Sequence, residues 1–196
     1  MTELTIQRFK GNQAFPYIDN LAELRIKVFR EYPYLYDGKL DYEKKYLSTY
    51  ANCQESVLVV VKDGEEVVGV SSAIPLEFET PECQQPFIDN QLSIDHIFYF
   101  GESVLLPQYR GTGVYRSFFH ERENAARQYG SQMAAFCAVS RPDDDPRCPS
   151  DYTPLDGIWQ HFGYQQHPEL RAFYEWKEID SDKATSKPMI FWTKSL

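Results

Sequence analysis

A short loop between a predicted strand and a predicted helix holds the residues best suited to bind a ligand. It consists of Gln108, Tyr109, Arg110, Gly111, Thr112 and Gly113. Glycine lets a backbone turn sharply and come close to an anion, and the unpaired N–H groups and the dipole of a following helix attract phosphate oxygens. Arg110 can add a charge-assisted hydrogen bond. The pattern therefore predicts a phosphate-binding loop.

The same glycines are also compatible with other interpretations. In the simplest one, Gly111 and Gly113 only turn the chain between the strand and the helix. The loop lacks the G-x-x-x-x-G-K-[ST] pattern of nucleoside triphosphatases. Arg116 stands where the third glycine of a dinucleotide-binding G-x-G-x-x-G pattern would fall. Neither of these two nucleotide-binding classes is favoured.

The hydrophobic pattern around the loop predicts alternating strands and helices. Predicted strands cover residues 4–9, 55–61, 66–74, 97–106, 133–139, 170–177 and 189–194, and predicted helices cover residues 17–31, 41–50, 112–129 and 153–162. Asp41 and Thr153 are predicted N-caps, and Gly101 predicts a bulge or a close backbone approach. Residues 75–94 are predicted to form a loop, and Glu123 is predicted on the exposed face of its helix. This order predicts a mixed, mostly antiparallel sheet with helices on its faces.

The stretch LLPQYRGTGV, residues 105–114, resembles motif A of the GNAT family of N-acetyltransferases, whose pattern is [QR]-x-x-G-x-[GA] between a strand and a helix. Gln108, Gly111 and Gly113 fill the fixed positions of that motif. The similarity extends over nearly the whole chain, through the helix pair at 17–50, the hairpin at 56–74 and the aromatic segment at 159–164.

This resemblance implies an α+β fold: a mixed, mostly antiparallel seven-stranded sheet with helices on both faces and a pyrophosphate-binding loop between the fourth strand and the third helix. It implies a single N-acetyltransferase domain over residues 1–196, with acetyl-CoA or another acyl-CoA as co-substrate. The pantetheine would pair with the backbone of Val104, Leu105 and Leu106. The pyrophosphate would lie on the amides of Arg110, Gly111, Thr112, Gly113, Val114 and Tyr115, and Gln108 is a further cofactor-binding residue.

Catalysis in such a site is the direct attack of a primary amine, on a small molecule or a peptide, on the thioester, and it needs a base. Glu102, beside Gly101, is the predicted base; the alternative is a partly solvated strand carboxylate that pairs with a lysine or arginine. Trp159 stands where the family usually has a thiolate-protonating tyrosine, so the acid is left open. Tyr152 is a candidate acid, and the alternative is an exposed loop tyrosine. Ser140, just past the fifth strand, could bond the pantetheine or order water.

Acceptor binding is predicted for the loop between the two early helices. Tyr34, Tyr36 and Asp37 can hold a cationic amine there, and the alternative is a packed aromatic loop. A non-catalytic acyl-CoA-binding or sensor module, and a protein-interaction domain with an incidental glycine loop, are the competing functions.

The composition of the chain limits the classes of partner that the protein is expected to bind. The net charge of −9 argues against a nucleic acid, and no run of about 18 apolar residues predicts a membrane span. The cysteines, at 53, 83, 137 and 148, and the scattered histidines form no metal-binding pattern, so no metal is expected. Such scattered cysteines are typical of a reduced, cytoplasmic protein. A homodimer is left open.

The cytoplasmic interpretation predicts four free thiols in the purified protein. A thiol titration under denaturing, non-reducing conditions counts them directly. Two disulfides in that experiment would contradict the predicted compartment.

Overall fold

Seven strands form one mixed sheet in the structure, a computed structural model that describes residues 4–196. They are β1 (Leu4–Lys10), β2 (Val57–Asp63), β3 (Glu66–Pro75), β4 (Ile97–Leu105), β5 (Met133–Val139), β6 (Gln165–Lys177) and β7 (Ala184–Ser195). Their order across the sheet is β1-β2-β3-β4-β5-β7-β6, and only the neighbours β4 and β5 are parallel. The predicted mixed, mostly antiparallel sheet is confirmed. Residues 1–3 of the predicted domain lie outside the described residues.

Helices cover both faces of the sheet. Within residues 4–196 they are α1 (Ile18–Val28), α2 (Leu40–Asn52), α3 (Pro81–Asp89), α4 (Val114–Tyr129) and α5 (Asp156–His161). Side chains of β4 alternate between the two faces, as a strand requires. Ile97 and Tyr99 join the apolar cluster of α1, α2 and α3, whereas Phe98 and Phe100 join the cluster that contains Phe119 of α4 and residues of α5.

Helix α3 corrects the predicted loop at residues 75–94. The prolines of that stretch favour a loop, but Pro81 occupies the start of the helix, where no N–H is needed. Cys83 and Phe87 are fully buried. Their packing against the core therefore supports a helix that also contains Pro86.

The predicted N-caps are wrong. Lys39 precedes α2 and Leu155 precedes α5, and neither makes a side-chain capping hydrogen bond.

Glu123 of α4 is not on the exposed face of its helix that the sequence predicts, because it is 8% exposed and accepts hydrogen bonds from Tyr164 (3.1 Å) and Lys194 (2.7 Å). Both donors come from distant parts of the chain, which a helical pattern does not reveal.

The C-terminal strands β6 and β7 are longer than predicted. They pair as an antiparallel hairpin, with a register shift between His167 and Arg171. Pro168 lies within this irregularity, so the proline does not end the strand. The extension of both strands comes from this long-range pairing.

Strands β4 and β5 separate after a short pairing. They pair only from Ile97 opposite Met133 to Tyr99 opposite Ala135. Beyond this point β4 follows β3 as far as Leu105, and β5 follows β7 as far as Val139. A wedge-shaped gap therefore opens within the sheet, and the end of β4 forms one of its edges.

A bulge in β4 lies where the gap begins. Ser71 pairs with Ser103 and Ala73 with Phe100, so that Ser72 lies opposite both Gly101 and Glu102. A Cβ at Gly101 would collide with the Tyr50 hydroxyl and lie 2.6 Å from Ser72 Oγ. The predicted bulge and close approach at Gly101 are both confirmed.

No helix among residues 4–196 has the length and apolar character needed to cross a membrane. In the same range, no group of three or more His, Cys, Asp and Glu side chains is arranged to hold a metal ion.

Gly101→Ala should lower the free energy of unfolding by about 1–3 kcal/mol, because the new methyl group overpacks the bulge. Gly157→Ala in α5 is the matched control, since its Cβ would meet no atom within 4 Å, and it should be neutral or stabilise by up to about 1 kcal/mol. Urea unfolding of both variants measures the difference. Equal stabilities of the two variants would contradict the close packing at Gly101.

Candidate cofactor-binding and acceptor site

The loop between β4 and α4 turns through two glycines in the left-handed region. Pro107–Tyr109 form one turn of 3-10 helix, after which Gly111 has φ +77° and Gly113 has φ +90°. These angles favour glycine. A Cβ at either position would meet no atom within 4 Å, so the space in front of both glycines is open.

The backbone N–H groups of residues 111–115 donate to no other residue in the described chain. Before them, the N–H groups of Tyr109 and Arg110 bond to Leu106 and Pro107; after them, those of Arg116 and Ser117 bond to Gly113. Five successive unpaired donors thus lie at the start of a 16-residue helix. This arrangement suits an anion chemically.

Side chains fix the shape of this loop. Tyr109 donates to Asp63 at the end of β2 (2.9 Å), and the Thr112 hydroxyl donates back to the Tyr109 carbonyl (2.7 Å). Arg110 forms an ion pair with Glu31 (3.0 Å), in which both side chains are about half exposed. Gln108 is exposed beside them. The predicted loop residues are therefore brought together at one rim of the gap.

The end of β4 presents backbone groups to the gap. Val104, Leu105 and Leu106 are buried, and the Leu106 N–H donates to Val68 on the β3 side (3.0 Å). Because successive residues of a strand point their backbone groups to opposite sides, those of Leu105 face the gap. Leu105 is therefore the one of the three that is oriented to pair with an extended ligand.

Trp159 contacts the first turn of α4. Its indole Nε1 donates to the Tyr115 hydroxyl (2.8 Å), and its ring packs against Phe136 and Trp192. Burial raises the pKa of Tyr115, against the effect of this hydrogen bond. The sequence pattern indicates Tyr115 only as a loop residue, and no sequence signal links it to Trp159, which lies 44 positions away.

Glu102 belongs to a buried ionic network. It is 3% exposed and accepts hydrogen bonds from Arg25 of α1 and from Ser72. Arg25 also bonds Glu43 of α2. Burial alone would lower the pKa of Arg25, but Glu102 and Glu43 outweigh it and hold that pKa above its usual value. Glu102 pairs with an arginine, as the alternative interpretation predicts, but it is buried and not partly solvated. Its role as a base stays a prediction.

A second arginine approaches the bulge from the opposite face. Arg122 of α4 is 2% exposed and donates to the backbone carbonyls of Phe118 (3.1 Å), Glu102 (3.2 Å) and Ser72 (3.4 Å). Burial lowers its pKa to about 10, so the guanidinium stays charged at neutral pH. Two cations, Arg25 and Arg122, therefore lie on opposite sides of the bulge.

The predicted acceptor residues do not converge on one point. The Tyr34 carbonyl accepts from Arg141 (3.1 Å) and from Trp176 (3.0 Å), while the Tyr36 hydroxyl donates to Glu43. Asp37 instead pairs with Lys177 at the surface (2.8 Å), and this contact lowers the pKa of Asp37. Much of this loop is packed against the C-terminal hairpin, and its role in acceptor binding stays a prediction.

This architecture is shared with proteins of known structure. No protein-family profile and no curated protein sequence matches the chain. Solved structures do match: a GNAT-family acetyltransferase of Desulfovibrio desulfuricans has 12% sequence identity and a TM-score of 0.58, with 98% of this chain and 99% of that chain covered.

Two further structures match over similar lengths. One is an acetyltransferase of Salmonella typhimurium solved with its cofactor acetyl-CoA, with 11% identity, TM-score 0.58 and coverage of 98% of this chain and 94% of that chain. The other is the ribosomal-protein-alanine N-acetyltransferase of Brucella melitensis, with 13% identity, TM-score 0.60 and coverage of 98% and 99%.

The chain has the GNAT N-acetyltransferase fold. The resemblance of residues 105–114 to motif A therefore predicts the fold correctly. In this GNAT fold the helix after the loop is the fourth α-helix and not the third, because α3 precedes β4.

Gly113→Ala should weaken CoA binding about 10- to 100-fold, since a methyl group in front of the free amides would displace an anion from at least one charge-assisted hydrogen bond. Gly130→Ala, at the other end of α4, is the matched control. It has φ +94° and equally open surroundings, so it carries the same backbone strain. Calorimetric titration of both variants with CoA gives the two affinities, and equal affinities would contradict the role of the loop.

Proposed function

We propose that this protein is a single-domain, acyl-CoA-dependent N-acyltransferase that transfers acetyl from acetyl-CoA to a primary amine of a small molecule or peptide. The row of free amides from Gly111 to Tyr115 is the observation that carries the proposal. It lies at the rim of the gap between β4 and β5, on a GNAT fold. A cofactor with a pyrophosphate at one end and an extended amide-containing arm matches both features.

In this proposal the loop and β4 bind different parts of the cofactor. The amides of residues 111–115 hold the pyrophosphate, and Arg110, held by Glu31, adds positive charge near it. The backbone of Leu105 pairs with the pantetheine arm. This alignment would bring the thioester toward the bulge at Gly101 and Glu102, where β4 and β5 begin to separate.

The reaction proposed at this point is direct attack of the amine nitrogen on the thioester carbonyl carbon. The acceptor must first lose a proton, because an ammonium group has no lone pair for the attack. Carboxylates near the bulge are the groups suited to take this proton. The net charge of −9 also favours the approach of a cationic acceptor.

A non-catalytic acyl-CoA-binding or sensor protein is the second candidate. Two observations favour it: Trp159 replaces the usual tyrosine, and Glu102, the predicted base, is held in a buried ion pair with Arg25. Such a protein would bind acetyl-CoA as well as the enzyme does, and only turnover separates the two functions.

Acetyl-CoA should raise the melting temperature. At a concentration of about 100 times its Kd, a ligand that binds only the folded state stabilises it by about 2.7 kcal/mol, which corresponds to about 5–10 °C for a domain of this size. Differential scanning fluorimetry measures the shift, with pantetheine, which lacks the pyrophosphate, as the control ligand. A melting curve that acetyl-CoA leaves unchanged would remove the cofactor from the proposal.

Release of CoA should follow when a suitable primary amine is added with acetyl-CoA. A thiol reagent detects the released CoA across a panel of polyamines, aminoacyl compounds, arylalkylamines and peptide N-termini. Saturable binding of acetyl-CoA without amine-dependent release across this panel would favour the sensor function.

A further inference from the structure

Glu79 is a buried carboxylate that the mechanism above does not use. It follows β3 and the short 3-10 turn Leu76–Phe78, and it is 6% exposed. Its Oε1 accepts from the Tyr50 hydroxyl, and its Oε2 accepts from the backbone N–H of Thr80 (2.8 Å). No cationic side chain among residues 4–196 forms an ion pair with it.

This environment differs from that of the other buried carboxylates near the bulge. Glu102 and Glu43 both bond Arg25 directly, so their negative charges are partly neutralised by one shared cation. Glu79 has only neutral donors, so no cation in direct contact with it opposes its protonation.

The pKa of Glu79 is also affected by its burial and by its hydrogen bonds. Burial raises the pKa of Glu79, although its hydrogen bonds from Tyr50 and Thr80 oppose the change. The negative charge of Glu102 raises it further, while Arg25 lowers it from a distance. A base is most effective when its pKa lies near the working pH, and this shift moves a carboxyl toward that range.

Tyr50 links Glu79 to the bulge. The hydroxyl that donates to Glu79 also lies against Gly101, beside Ser72 Oγ. Ser72 in turn bonds Glu102. Glu79 is thus connected through one phenol to the point where β4 leaves β5.

The titratable groups facing Glu79 come from both sides of the gap. They are Arg25 of α1, Tyr46 and Tyr50 of α2, Cys83 of α3, Glu102 of β4, Cys137 of β5 and Tyr174 of β6. Burial raises the pKa of the tyrosines and of both thiols, so at neutral pH these stay uncharged. Arg25 and Glu102 act on the pKa of Glu79 in opposite directions.

We infer that Glu79, and not Glu102, accepts the proton of the acceptor ammonium group, with Tyr50 as its positioning residue. This inference rests on the proposed function. One proton passes from the ammonium nitrogen to a Glu79 carboxylate oxygen. The neutral amine then forms the C–N bond to the thioester carbonyl carbon as the C–S bond breaks. A second proton from the same nitrogen neutralises the departing thiolate. Glu79 finally releases its proton to water. Glu102 serves instead to hold Arg25 against the bulge.

The pH dependence of turnover tests this assignment. Only ionised Glu79 accepts a proton, so the rate should fall as the pH drops through the pKa of Glu79. Glu79→Gln should lower kcat by about 10²-fold or more, abolish this acid limb and leave acetyl-CoA affinity unchanged. Glu82→Gln, an exposed carboxylate in α3, is the matched control and should behave as wild type.

Tyr50→Phe gives a second and independent measurement. It removes the hydrogen bond that favours the ionised carboxylate, so the acid limb should move to higher pH while turnover at high pH persists. Glu102→Gln should lower the melting temperature by breaking the Arg25 ion pair. Because it also removes a charge that raises the pKa of Glu79, it should retain the acid limb but move it to lower pH.

The outcomes separate this inference from the proposed function. Full kcat and an unchanged profile in Glu79→Gln would overturn it, and loss of the acid limb in Glu102→Gln alone would restore Glu102 as the base. If Glu79→Gln does not fold, a Tyr50→Phe profile that does not move would overturn the inference. Wild-type protein that binds acetyl-CoA but acetylates no amine would remove the enzymatic function and this inference together, while leaving cofactor binding intact.

Discussion

The ion pairs of Arg25 join three elements around the bulge. Arg25 extends from α1 to Glu43 on α2 and to Glu102 on β4, and both carboxylates are buried. Removing one member of a buried ion pair typically costs about 3–5 kcal/mol, because the remaining charge is left without a partner. The position of α1 and α2 over the sheet therefore depends on this cation, and so does the shape of the space where β4 and β5 separate.

The two halves of the candidate site are built in different ways. The free amides of residues 111–115 are set locally by two glycines and a helix start, although Asp63 and Glu31 also hold the preceding Tyr109 and Arg110. The interior beside the bulge depends on contacts between distant elements, since Arg25 and Glu102 are 77 positions apart. A substitution in the loop should consequently act on ligand contacts, whereas a substitution in the interior acts first on how the helices dock.

This difference also determines what the sequence could predict. Residues 105–114 indicate the fold and the loop because their spacing is set by backbone geometry, and Gly101 indicates the bulge for the same reason. Arg25, Glu79 and Arg122 lie in helices or turns where nothing in the local pattern distinguishes a buried charge from an exposed one. The two prolines of helix α3 predict a loop, because the packing of Cys83 and Phe87 that supports the helix appears only in the folded chain.

The loop at residues 32–37 is attached to the C-terminal hairpin at several points. Trp176 of β6 bonds the Tyr34 carbonyl, the Ile179 N–H bonds the Leu35 carbonyl (2.8 Å), and Tyr36 forms an isolated bridge with Glu178. These two segments are far apart in the chain but behave as one structural unit. Transplanting this loop into another protein would thus require the matching hairpin residues as well, and the evolution of a new loop sequence is constrained by a strand that begins more than a hundred residues later.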